Sequence, residues 1–343
     1  MFRPNPLTIK ANAELVLEVI DLSVRYQTRQ GEVQAVEGVS FELGQGQSLG
    51  LVGESGCGKT SVANSLMGLL PENARLAGGQ IRLGGTDLLR LSDEEMRRYR
   101  WRRIAMVFQA AMNSLDPVHR VGQQVIEAIE AHGMETTLSD ARERVARLFR
   151  MVGLDPQLMD RYPHEFSGGM RQRAVIAMAL SCDPDLIIAD EPTTALDVIV
   201  QDRILRELKL VQQELRMGMI YISHDIGVVA EVTDRIGVMY AGRLVELGDT
   251  ADVFRSPMHP YTAALMSSFP SVHGERLPLR NLAGEPPNLI DPPSGCPFHP
   301  RCQYADDTCR TEFPARANRG DHWAACWHPL DLAASSDVSR DAC

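Results

Sequence analysis

The chain has 343 residues, 44% hydrophobic and 23% charged, with a net charge of −10. That is enough apolar material for a proper core, which excludes a disordered chain, and enough length for two domains. The acidic balance argues against a protein that coats nucleic acid or holds an anionic membrane by charge alone.

The longest apolar run, Ala174–Leu180, is seven residues, where a membrane span needs about 20. No apolar segment follows Met1-Phe2-Arg3-Pro4, so no secretory signal is expected and a cytoplasmic, reducing address follows. Strand patterns cover Leu15–Tyr26 and Ala35–Leu43, with a turn at Thr28-Arg29-Gln30-Gly31. Ser48–Val52 is a short apolar strand running into glycines, and Ser61–Leu70 reads as a helix. Residues 121–153 also read as helix: Asp140 and Glu143 form a candidate capping box, and Val145, Leu148, Phe149 and Val152 recur at helical spacing before Gly153. Leu186–Ala189 and Met219–Ile222 are apolar strands on either side of a helix over Ile204–Leu215. This alternation predicts a mostly parallel α/β core with a helical insertion over 111–165. Ten of the 20 prolines fall between Pro257 and Pro300, so a boundary is placed near 256, with an irregular extension beyond it.

Gly53-Glu54-Ser55-Gly56-Cys57-Gly58-Lys59-Thr60 fits G-x-x-x-x-G-K-[ST] between that strand and helix. Glycines let backbone N–H groups converge on phosphate oxygens, and the helix N-terminus at Ser61 adds a favourable dipole. Lys59 supplies a point charge for the β- and γ-phosphates, and Thr60 a hydroxyl for Mg²⁺. One such charge pair at ~4 Å and a dielectric near 20 is worth about 4 kcal/mol before desolvation. Cys57 reads as a small filler in the loop, although a helix N-terminus can lower a thiol pKa. Farther on, the strand Leu186–Ala189 delivers Asp190 and Glu191 at its end. That is what a Mg²⁺–nucleotide site requires: Asp190 to hold the ion through water, Glu191 to polarise the attacking water.

Phe166-Ser167-Gly168-Gly169-Met170-Arg171-Gln172-Arg173 resembles the signature motif of ATP-binding-cassette (ABC) ATPases. Phe108-Gln109 resembles that family's Q-loop, Ala195-Leu196-Asp197 its D-loop, and His224 its switch histidine, while Tyr26 is placed like the aromatic that stacks on adenine. The resemblance covers residues 14–255. It implies a P-loop NTPase cassette, a RecA-like core with antiparallel β and α-helical subdomains, acting as a head-to-tail pair around two ATP molecules. Ser167, Gly168 and Gly169 would then face the nucleotide held by the partner cassette, and Asp197 would lie at the same junction. Gln109 would join Mg²⁺ to the coupling surface at Met112–Val118, and His224 would sense the γ-phosphate beside Glu191.

Ser256-Pro257-Met258-His259-Pro260-Tyr261-Thr262 and Cys296-Pro297-Phe298-His299-Pro300-Arg301-Cys302 are similar to the extension of ATP-binding subunits from dipeptide and oligopeptide importers. The resemblance implies two membrane permeases, a second and different cassette, an extracytoplasmic binding protein and a peripheral place on the cytoplasmic face of the membrane. Nickel and oligosaccharide cargoes occur in the same family. A soluble ABC ATPase of repair or translation type is the rival class. The single cassette, the 107 residues between Lys59 and Ser167, and the acidic charge all speak against it and against nucleic acid as partner.

Cys296, Cys302, Cys309 and Cys326 are separated by five, six and sixteen residues. Neither the close C-x₂₋₄-C pairs of zinc sites nor the tight steps of ferredoxins occur, and the loose spacing suits a wrap around a bulky [4Fe–4S] cluster. Subunits of the importer family that carry such a cluster point the same way. Zinc, disulfides and free thiols remain as alternatives, and Cys343 reads as a free thiol. His299, His322 and His328 are read as surface residues rather than substitute ligands.

Overall fold

The computed structural model describes residues 14–331 apart from 110, 135, 136, 195, 268–283 and the side chain of Met112. The N-terminal tetrapeptide, Ala195 of the D-loop and Cys343 lie outside the described residues.

Strands β1 (Leu15–Thr28) and β2 (Gly31–Gly44) pair antiparallel about the expected turn. Leu17, Val19, Leu22 and Val24 all face the core, although strict two-residue alternation would turn Leu22 outward. A register shift between Val19 and Leu22, with Asp21 at φ 47°, absorbs the extra residue. Strand β3 (Ser48–Val52) is buried throughout, and α1 (Lys59–Met67) follows it, ending at Gly68 in the left-handed conformation. Strands β4 (Ala74–Leu83) and β5 (Thr86–Asp87) complete a four-stranded sheet in the order β2-β1-β4-β5. Helix α2 (Asp93–Tyr99) opens with a reciprocal cap between Ser92 and Glu95 and leads to β6 (Ile104–Val107).

The single helix expected over 121–153 is two, α3 (Val121–Ala131) and α4 (Leu138–Met151). Gly133, at φ 61°, turns the chain out of α3. Thr137, not Asp140, caps α4, its hydroxyl accepting the Asp140 N–H at 3.1 Å. Helix α5 (Gly168–Ala179) is capped by Ser167 and precedes β7 (Leu186–Asp190), which is buried along its whole length. Helix α6 (Val198–Leu215) starts earlier than the expected Ile204 because Asp197 caps it. Strand β8 (Gly218–Ser223), α7 (Ile226–Ala230), β9 (Arg235–Tyr240), β10 (Arg243–Asp249) and α8 (Thr250–Arg255) follow. Among the described residues no helix is long and apolar enough to cross a membrane.

Beyond residue 256 loops predominate, but α9 (Pro260–Ser267), α10 (Asp307–Thr311), β11 (Arg316–Arg319) and β12 (His322–Ala325) are regular. Strand β12 pairs antiparallel with β10, giving an eight-stranded sheet in the order β11-β12-β10-β9-β3-β8-β7-β6. Glu246 on β10, with no exposed surface, makes the junction. Its carboxylate accepts the N–H groups of Met258 and His259 at 2.7 and 2.8 Å and meets His322 Nε2 at 2.7 Å. His322 is therefore buried, contrary to the surface position expected; His299 is half-buried, and His328 alone of the three is exposed. Replacing Glu246 with Ala strands two buried N–H groups and the imidazole. A loss of about 3–5 kcal/mol is expected, read from the urea unfolding midpoint; an unchanged midpoint would contradict this account.

Candidate functional site

The glycine loop joins β3 to α1 and has no room for side chains at two positions. A Cβ on Gly53 (φ 151°) would lie 2.2 Å from the Met239 carbonyl oxygen, and one on Gly58 (φ 104°) 2.3 Å from that of Ala35. Only glycine tolerates both the conformation and the approach. Lys59 is buried, and its ammonium donates to the carbonyls of Gly53 (2.7 Å) and Glu54 (3.0 Å). Ser55, Gly56 and Thr60 are exposed at the mouth. Cys57 is buried against Lys59, and burial pushes its thiol above the ordinary value despite the cation, so it fills space rather than reacting. The Tyr26 hydroxyl stands 3.2 Å from Ser61 Oγ, which brings the ring beside the first turn of α1.

Asp190 and Glu191 differ in environment although they are neighbours. Asp190 is buried, and burial raises its carboxyl above the ordinary value, with Glu191 adding to that and the Thr60 hydroxyl and Lys59 opposing it. A buried carboxylate beside a hydroxyl is a hard-oxygen pair that suits Mg²⁺. Glu191 sits at φ 47°, turned off the strand end, with its N–H on the Ile222 carbonyl at 2.9 Å. Oε2 accepts from Gln109 Nε2 at 2.7 Å and Thr194 Oγ1 at 3.0 Å, and Oε1 meets His224 Nδ1 at 2.9 Å. Burial alone would raise this carboxyl. The His224 and Thr194 hydrogen bonds, with the charge of Lys59, outweigh it and hold the group below its usual range. Glu191 is therefore ionised at neutral pH, the form a general base needs. Sequence reasoning does not single out Thr194; the available signal is the Thr193-Thr194 pair, one proline beyond the strand-end acids.

Lys59, Thr60, Asp190, Glu191, Gln109 and His224 thus converge. The signature residues do not join them. Ser167 is exposed and accepts the Met170 N–H at 3.3 Å, Asp197 Oδ1 accepts the Val200 N–H at 3.0 Å, and Gly168 and Gly169 are half-buried. A Cβ on Gly169 would lie 2.7 Å from Val200 Cγ1, so glycine there also permits close packing of α5 on α6. Among the described residues none of these four hydrogen-bonds to the phosphate loop, the acids or His224.

Cys296, Cys302, Cys309 and Cys326 line one small cavity with His259, Phe298 and Trp327. Among the described residues every cysteine is free. Burial raises all four thiols, Cys296 to about 11 and Cys326 to about 12, and each of these two is raised further by other members of the set. His259 is buried; its Nδ1 accepts the Tyr261 N–H at 3.0 Å, which leaves Nε2 as the donor, and Nε2 has no partner. Among the described residues the one trio of candidate ligand atoms within 4.8 Å of one another is Asp306, Cys309 and His328. Its own bonds explain it: Asp306 caps α10, taking the Cys309 N–H at 2.9 Å, and meets His328 Nε2 at 2.9 Å.

Comparison with known proteins agrees with this geometry. Residues 36–194 match a family model described as ABC transporter, and residues 245–309 one described as oligopeptide/dipeptide transporter, C-terminal region. A dipeptide transport ATP-binding protein, DppD of Bacillus subtilis (strain 168), is 46% identical over 333 residues, covering 96% of this chain and 99% of its own. OppD of Salmonella typhimurium, an oligopeptide transport ATP-binding protein, is 44% identical over 322 residues, covering 93% and 95%. The ATP-binding cassette MJ0796, solved as a dimer bound to ADP and Pi, superimposes with a TM-score of 0.61 at 25% identity, covering 68% of this chain and 98% of that one. The chain belongs to the ABC transporter ATPases, in the group of dipeptide and oligopeptide transport ATP-binding proteins.

Proposed function

We propose that this chain is the ATP-hydrolysing motor subunit of an importer for short peptides. The observation that carries the chemistry is Glu191, ionised, turned off the end of β7 and held by Gln109, Thr194 and His224 beside the phosphate loop. The peptide cargo rests on the peptide-transport relatives and on the matched C-terminal region.

In this reading Lys59 and backbone N–H groups of the loop after Glu54 bind the triphosphate, and Tyr26 meets the adenine. Thr60, Asp190 and Gln109 would hold Mg²⁺, and that ion would supply charge to offset the phosphates. Glu191 takes a proton from water as its oxygen attacks the γ-phosphorus and the bond to ADP breaks. Oε1 meets His224 and keeps a second lone pair with which to accept from that water. Ser167, Gly168, Gly169 and Asp197 lie apart from this cluster, which suits residues that complete the site of a second cassette. A different cassette subunit is the preferred partner, with residues 14–255 as the nucleotide domain, 111–165 as its helical coupling part and 256–343 as an extension. Two permeases would hold the pair on the cytoplasmic face of the membrane, and an extracytoplasmic binding protein would choose the cargo.

The cysteine cavity suits a [4Fe–4S] cluster. Zinc with bonds of about 2.3 Å brings its sulfurs to about 3.8 Å of one another. No three of the four thiols come within 4.8 Å among the described residues. His259, whose Nε2–H has no partner, lines the same cavity as the thiols and is a candidate donor to a sulfur-rich anion.

Replacing Glu191 with Gln is expected to leave ATP binding intact and to lower turnover by about 10²–10⁴-fold; rapid steady-state hydrolysis would remove it from the base role. Protein purified anaerobically should be brown, with about four irons and four sulfides per chain; one zinc in colourless protein would replace the cluster with the zinc alternative. The transport reading is tested by tagging the chain and identifying what accompanies it from gently solubilised membranes. Two permeases, a second cassette and a peptide-loaded binding protein are expected. A binding protein loaded with nickel or an oligosaccharide would change the cargo, and ribosomes or DNA without permeases would overturn transport.

A further inference from the structure

Two side chains of the extension reach the phosphate loop and take hold of the same residue. Arg301 stands in the 3-10 turn His299–Arg301, between Cys296 and Cys302. Its guanidinium, 5% exposed, binds Glu54 bidentately, Nη1 to Oε2 at 2.7 Å and Nη2 to Oε1 at 3.0 Å. Nη1 also donates to the Tyr240 hydroxyl at 3.3 Å. Tyr261 on α9 is buried, and its hydroxyl oxygen accepts the Glu54 N–H at 3.0 Å. Its ring is braced by Tyr240 and Phe298, with centroids 4.6 and 5.4 Å away. Phe298 also packs edge-on against Tyr240 at 5.2 Å.

Glu54 is the second residue of the phosphate loop, directly after Gly53. A carboxylate there is a liability, because it repels the polyphosphate the loop must receive. A bidentate guanidinium cancels that charge and fixes its direction. The Tyr261 hydroxyl fixes the backbone of the same residue. A loop whose backbone is already held need not be ordered when phosphate binds.

We propose that Arg301 and Tyr261 are positioning residues of the nucleotide site: they hold Glu54 by side chain and backbone, cancel its charge, and set the loop for the triphosphate. The cysteine-rich extension is then a working part of the ATP site. This rests on the reading of residues 53–60 as the ATP phosphate loop.

The test is equilibrium binding of a fluorescent ATP analogue to the full chain, with ATPase kinetics alongside. Arg301→Met should weaken binding by about tenfold, the scale of a lost hydrogen bond to a charged group, and should raise KM for ATP more than it lowers kcat. Tyr261→Phe, which keeps the ring packing, should weaken binding by about threefold, the scale of a lost neutral hydrogen bond. The decisive variant is Glu54→Gln combined with Arg301→Met. With the carboxylate gone, nothing is left to neutralise, and affinity should recover most of the loss. Wild-type affinity in Arg301→Met overturns the proposal, as does a double variant as weak as Arg301→Met, the result that a purely structural role of Arg301 gives. Lys59→Ala separates the two levels: it should abolish binding, and if it binds like wild type the loop reading fails and the proposal with it, whereas wild-type affinity in Arg301→Met beside lost binding in Lys59→Ala overturns the proposal alone.

Discussion

The site exists because neighbouring parallel strands end together. Strand β3 pairs in register with β8, Val52 opposite Ser223, and β8 with β7, Ile222 opposite Asp190. Strand β6 lies beside β7 with Val107 opposite Ala189. Each strand therefore delivers its next residues to the same edge: the phosphate loop from β3, His224 from β8, the acids from β7, Gln109 from β6. Parallel pairing demands crossover connections, and these keep the strands buried on both faces. That is why Leu186–Asp190 can be apolar until its last residue, and why a carboxylate at that end is desolvated.

Two adjacent acids do different work because the backbone separates them. Asp190 remains in line with β7 and is buried. Glu191, at φ 47°, turns out to meet Gln109, Thr194 and His224. A left-handed conformation at a non-glycine residue costs energy. Here the Glu191 N–H bond to Ile222 and the side-chain bonds pin it. The same turn puts two carboxylates at one strand end without making them share one environment, and their pKa values shift in opposite directions.

The parts of the molecule that were legible in the sequence are those whose chemistry is local. The glycine loop and the strand ending in Asp190-Glu191 each lie within a few residues, and each is where the pattern put it. What stayed hidden depends on partners far along the chain. The Glu54–Arg301 pair spans 247 positions, and no spacing rule reaches that far. Strand β12 is a short run whose strand character comes from the free edge of β10. His322 looked like a surface histidine because the acid that buries it, Glu246, is on another strand. The break at Gly133 and the bulge at Asp21 were visible as residue types, but the helical and alternating periods on either side masked them.

The same distant contacts give the extension its physical role. A loop-rich segment loses much conformational entropy on ordering and has few regular hydrogen bonds to offset it. Among its ties to the preceding chain, Glu246 binds Met258, His259 and His322, β12 pairs with β10, and Arg301 and Tyr261 bind Glu54. His259-Pro260-Tyr261 sits at the centre of these ties. His259 lines the cysteine cavity, and Tyr261, two residues on, touches the phosphate loop. Arg301 repeats the arrangement, with Cys302 beside it in sequence and Glu54 in its grip. A group bound by the four thiols would stiffen both segments that hold the loop. With such a group bound, the cysteines and the ATP site, separate in sequence and in chemistry, would be parts of one mechanical unit.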